Sequence, residues 1–211
     1  MRKVSRRLLA AALPFCLAIP PSSAASGPPA SQAPADTARP RYTAADVGFM
    51  QGMIAHHAQA IEMAALVRTR TAREDMRLLA ERIDVSQRDE IATMQRWLRN
   101  RHQQVPDPMT AHEHHDSAGR PMLMPGMLTP EEMAELAKAA GTEFERLFLT
   151  RMIKHHEGAL VMVAQLFASR GAVQESEIFG FASDVDADQR AEIARMRTLL
   201  NAYSVPKREP Q

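Results

Sequence analysis

The segment MIAHHAQAIEM, Met53 to Met63, returns as MIKHHEGALVM, Met152 to Met162, at an offset of 99 with six of eleven positions identical. A second block, QRDEIATM from Gln87, returns as QRAEIARM from Gln189 at an offset of 102, with six of eight positions identical. In the first register Asp46 falls on Glu145. The blocks keep their order, and the second copy holds three more residues between them, so one unit occurs twice. Two helix pairs related by duplication predict a four-helix bundle with an approximate two-fold axis and one long crossover. The expected fold class is therefore all-α: two duplicated helix pairs, repeats at about 43–101 and 142–203, joined by a crossover over 102–129.

Start and stop signals agree with that plan. Thr43 with Asp46 makes a capping box for a helix running to about Arg70, and Thr71 with Glu74 makes another for a helix to about Arg101. Pro106 and Pro108 end that region, and His102 to Leu128 form a loop-like insert. Thr129, Pro130 and Glu132 give a third start, with proline at the first helical position. Gly141 interrupts, Thr142 with Glu145 restarts the helix to about Arg170, and Gly171 supplies the stop. A last helix spans roughly Ala172 to Tyr203.

On a wheel of about 100° per residue, Asp46, Met53, His56, His57, Ala60 and Met63 share one face, together with Phe49, Ala64 and Val67. The second copy repeats the stripe with Glu145, Phe148, Met152, His155, His156, Ala159, Met162 and Leu166. Four imidazoles on the apolar stripes of two related helices need partners, because an unpaired buried polar group costs about 1–3 kcal/mol. If the two helices are neighbours, a metal ion satisfies several rings at once, and the small Ala60 and Ala159 leave room for it.

The identity of the ion follows from what is missing. Di-iron bundles carry Glu-x-x-His, and that spacing occurs nowhere in this chain. The corresponding pairs are Met53 with His56 and Met152 with His155. Exchanging a carboxylate for a thioether moves preference from iron and manganese towards copper(I), or its mimic silver(I). The candidate ligands are Met53, His56, His57, Met63, Met152, His155, His156 and Met162. Neutral imidazole is required, so affinity is expected to fall below about pH 6.

A wider set carries less specific signals. Asp46 and Glu145 lie on the stripe but also occupy the third position of capping boxes. Gln87, Glu90, Gln189 and Glu192, near Met94 and Met196, can hydrogen-bond the ring nitrogens that do not bind metal, or form an ordinary solvated rim. The insert holds Met109, His112, His114, His115, Met122, Met124 and Met127. It is either a flexible polar loop or a Met/His arm that passes copper to the buried site.

Met1 to Ala25 read as an export signal: Arg2, Lys3, Arg6 and Arg7, then an apolar run from Leu8 to Ile19, then small residues at Ser22, Ala24 and Ala25. SRRLL partly matches a twin-arginine signal, so that route and the Sec route both fit. Residues 26–41 form a Pro/Ala-rich disordered linker, and residues 204–211 a flexible tail. Cys16, the single cysteine, leaves with the signal, so the mature chain has no disulfide, no thiolate ligand and no thiol nucleophile. Blue-copper electron transfer is excluded with it. Signal removal also leaves 22 basic against 25 acidic side chains, a balance that argues against a nucleic-acid partner.

The paired MIxHHxxAxxM helices, the QRxEIAxM helices, the central MPGMLTPEEMAEL and the following GTEFERLFLTRMIKHHEGAL resemble the bacterial domain of unknown function 305 family, from about Tyr42 to Tyr203. The resemblance implies a ferritin-like four-helix bundle, usually exported, with some members binding copper and silver in the periplasm. The same eight Met and His positions match its motif. The expected function is sequestration or hand-over of Cu(I) in the periplasm or outside the cell, with no chemistry of its own. Its expected partners are metal ions and other copper-handling proteins, without a membrane span after signal removal. The alternatives are a ferritin-like metal-dependent redox enzyme and a metal-free helical interaction module.

Overall fold

Thr43 opens the first helix by the predicted exchange: Asp46 N–H donates to the Thr43 hydroxyl, and Thr43 N–H donates to the Asp46 carboxylate at 2.6 Å. The computed structural model describes residues 41–108 and 123–203. Within them lie five helices: α1 Ala44–Arg70, α2 Glu74–Asn100, α3 Pro130–Lys138, α4 Gly141–Ala168 and α5 Ser176–Ala202. α1 packs on α2, α4 packs on α5, and the two pairs meet along α1 and α4. The described residues form an all-α bundle of four long helices, with α3 as a short helix between α2 and α4. No helix among the described residues is long and apolar enough to cross a membrane.

α1 and α4 run antiparallel. The Asp46 carboxylate, at the start of α1, accepts from Val173 N–H beyond the end of α4, at 2.8 Å. The Glu145 carboxylate, at the start of α4, accepts from the Thr71 hydroxyl beyond the end of α1 and from the Tyr203 hydroxyl at 2.6 Å. Each acid thus ties the start of one long helix to the loop leaving the other.

Two of the predicted capping boxes do not form. α4 starts at Gly141 with Ala140 as its N-cap, and α2 starts at Glu74 with Arg73 as its N-cap; neither start has a side-chain cap. Glu145 and Thr71 are bonded to each other instead. A buried hydrogen bond between distant segments outcompetes a local one that water can replace. The third box holds: Thr129 and Glu132 exchange bonds with Pro130 at the first position of α3. Lys154 and Arg151 then fasten α3 to α4 through Glu132 and Glu135.

The buried apolar side chains form two clusters. One holds Met53, Met94, Ala159 and Met162 with Trp97 and Phe49; the other holds Ala60, Met63, Met152 and Met196 with Phe144 and Phe148. The first cluster takes Met50 and Met53 from α1, Met162 from α4 and Met94 from α2; the second takes Met63 from α1, Met152 from α4, Met76 from α2 and Met196 from α5. The histidines lie between the clusters along both central helices.

Candidate metal centre

All four histidines of the two motifs are buried, none more than 1% exposed. His56 and His155 meet across the α1–α4 interface with ring centroids 3.9 Å apart. Their chain neighbours turn outwards: His56 and His57 are 6.4 Å apart, and His155 and His156 are 6.2 Å apart. This divergence follows from the ~100° between consecutive residues on a helix. His57 Nε2 bonds to Glu90 on α2, and His156 Nε2 bonds to Glu192 on α5 at 2.6 Å. Glu90 and Glu192 therefore hydrogen-bond the ring nitrogens, one of the two roles their positions suggested. Gln87 and Gln189 are buried beside them on the same helices.

The inner pair is not symmetric. The crossover returns through Met124 to Leu128 against α1 and α4, and its Pro125 carbonyl accepts from His56 Nε2 at 2.9 Å. Gln59 grips the same stretch by donating to the Leu128 carbonyl at 3.0 Å and accepting from Leu128 N–H at 2.7 Å. At the position equivalent to Gln59, the second copy has Gly158, where an added Cβ would lie 1.9 Å from the Pro125 oxygen. Gly126, at φ +80°, presses on the same turn of α4. No partner is found for His155 Nε2 among the described residues.

These bonds assign tautomers. A carbonyl only accepts, so His56, when neutral, carries hydrogen on Nε2 and a lone pair on Nδ1; in His57 and His156 it is likewise Nε2 that is engaged, by a carboxylate. Nδ1 of His56, His57 and His156 and Nε2 of His155 are all buried without a hydrogen-bond partner. Burial, then the neighbouring His57, pulls the His56 pKa down to about 3, against a smaller upward effect of the Pro125 carbonyl. Burial, then His56, holds His155 well below its ordinary value. The inner rings therefore stay neutral, the form that binds metal, and the affinity loss expected below about pH 6 does not apply to them.

Among the described residues no group of three or more His, Cys, Asp or Glu could hold an ion. What suits a soft cation is the donor set: buried imidazole nitrogens without hydrogen-bond partners, flanked by thioethers in the two clusters. Met124 is half-buried, with its sulphur 3.1 Å from where a Cβ on Gly52 would stand and the Met162 methyl 3.6 Å from the same point. Met127 is buried. Asp46 and Glu145 sit at opposite ends of the central helices, engaged as described above. Met109, His112, His114, His115 and Met122 lie outside the described residues.

Sequence reasoning did not single out Pro125, Gln59 or Gly158. Their only trace is a glycine opposite a glutamine at one position of the repeat, beside a Pro-Gly turn.

These features define a four-helix bundle that buries methionine and histidine where its two helix pairs meet. The chain belongs to the DUF305 family, a domain of unknown function whose family model matches residues 46–200. It is 32% identical to a DUF305 fragment from Deinococcus radiodurans, with a TM-score of 0.65 over 77% of this chain and 99% of that one. A DUF305 protein from Streptomyces coelicolor is 30% identical, with a TM-score of 0.64 over 79% and 98%. CopM in its Cu(II)-bound form shares the fold at 24% identity, with a TM-score of 0.59 over 75% and 97%. A comparison with curated proteins finds no match.

Proposed function

We propose that the mature protein is an extracytoplasmic copper-binding protein that holds Cu(I), and its mimic Ag(I), through Met53, His56, His57, Met63, Met152, His155, His156 and Met162. It sequesters the ion or hands it to another copper-handling protein and catalyses nothing itself. The observation that carries this is the set of four buried imidazoles, each with a ring nitrogen lacking a partner. An unpartnered buried nitrogen costs about 1–3 kcal/mol, and four of them are retained along α1 and α4. CopM, of similar fold, has been solved with Cu(I), Cu(II) and silver. Export rests on the N-terminal segment, and the Streptomyces coelicolor relative is described as a secreted protein.

Equilibrium dialysis of the mature chain against Cu(I), Ag(I), Zn(II) and Fe(II) tests the proposal. Tight, preferential binding of Cu(I) and Ag(I) is expected, and a His56→Ala/His155→Ala double variant should lose more than about a hundredfold in Cu(I) affinity. Full affinity in that variant places the site elsewhere. The His57–Glu90 and His156–Glu192 pairs favour a second reading, a metal-dependent redox enzyme, because they supply hard donors. Strong Fe(II) binding with oxygen consumption selects that reading, and no binding of any ion leaves a metal-free helical module.

A further inference from the structure

The two ends of the bundle carry equivalent positions with different charge. At one end, formed by the close of α2 and the start of α5, Arg101 donates to Glu175 and Glu177 at 3.0 Å and lies 4.1 Å from the centre of the Trp97 ring. The offset of 102 sets Arg73 on Glu175 and Tyr203 on Arg101. At the other end, accordingly, an arginine stands where the first end has an acid, and Arg73 lies over the Tyr203 ring at 4.9 Å.

The consequence is a surplus of guanidinium groups. Arg68, Arg70, Arg73 and Arg77 line a cleft of about 960 Å³ together with Thr142 and Tyr203. Glu145 is the carboxylate in its lining, already occupied by Thr71 and Tyr203 with Arg73 at 3.8 Å, and Asp75 pairs with Arg73; Arg68 and Arg77 also border an adjoining cleft with Glu81 and Asp84. Arg77 donates to the Thr71 carbonyl. Arg68 and Arg70 have no ion pair among the described residues, and Arg70 Nε is buried with no acceptor. The first turn of α4 borders the cleft at Gly141 and Thr142 with no side-chain cap, so backbone N–H groups add donors of the same sign.

We propose that this cleft binds a small oxyanion carrying two or more charges, gripped by the Arg68 and Arg70 guanidiniums and bordered by the first turn of α4. Guanidinium forks match phosphate and carboxylate oxygens in pairs, and the cleft has the size of a small-ligand site. The acidic balance of the chain after signal removal argues against a long polyanion as the occupant. The site is independent of copper and stands or falls separately from it.

Calorimetric titration of the mature chain with inorganic phosphate and, separately, with succinate tests this, alongside amide NMR of the same samples. Expected are saturable binding of at least one anion and saturable shifts of the Gly141 and Thr142 amides. Arg68→Gln/Arg70→Gln should weaken binding about tenfold, while Arg190→Gln, at a residue paired with Asp186 on α5, should leave it unchanged. Arg68 is exposed, so Arg68→Gln alone keeps the fold and gives a smaller loss in the same direction. Phosphate binding without succinate binding identifies a phosphoryl ligand, and the reverse a dicarboxylate. Absence of saturable shifts with both anions, or wild-type affinity in the double variant, overturns the proposal.

Discussion

His56 and His155 hold the same place in two copies of one motif, and of the two only His56 has a hydrogen-bond partner at Nε2. The crossover is present once. Pro125 offers its carbonyl to His56, Gln59 clamps Leu128 from α1, and on α4 the room is made by Gly158. A single segment laid against a duplicated pair cannot treat both members alike. Two identical side chains therefore become chemically distinct, one capped at Nε2 and one free there. The outer histidines, served by one carboxylate in each half, keep the symmetry that the inner pair loses.

The largest expected effect tests what the two inner rings share. Their folded pKa values lie below that of an unfolded histidine, so on acidification the unfolded chain takes up protons first. Metal-free stability should be intact above pH 6.5 and fall as pH drops from there towards 3, by roughly 4 kcal/mol at His56 alone. Urea midpoints measured across this range check it, and a flat profile would mean that the rings are solvated. Gly158→Ala comes next, because its Cβ meets backbone and not a flexible side chain. It should cost up to about 3 kcal/mol in thermal or urea unfolding and shift the His56 NMR signals as the Pro125 bond breaks. The smallest effect sharpens the comparison most directly. His56→Leu leaves the Pro125 carbonyl without its donor and should destabilise the metal-free protein by about 1 kcal/mol more than His155→Leu, which removes a nitrogen that had no partner. Equal losses would show that the crossover carbonyl contributes nothing.

Much of this was legible in the sequence because it is periodic or local. The stripe from Asp46 to Val67 repeats at helical spacing and is buried throughout. The Thr43 and Thr129 caps need only three residues of context, and both form. The boxes at Thr71 and Thr142 looked the same and failed, since Thr71 and Glu145 have each other as partners across 74 positions of chain. No local rule sees that distance. The Glu90 and Glu192 bonds were one of two alternatives open at positions the duplication marks twice, whereas Pro125 occurs in an unrepeated segment and left no second copy to compare.

The amino-acid order alone determined the all-α class, the pairing of helices and the burial of four imidazoles among thioethers, because periodicity and repetition act over a few turns of chain. Only the folded chain decided that His56 and His155 face each other while His57 and His156 turn to carboxylates, that one inner ring is capped, and that arginines gather at one end. Those outcomes depend on which segments occupy the same few ångströms, and space, unlike sequence, admits one crossover where two copies compete for it.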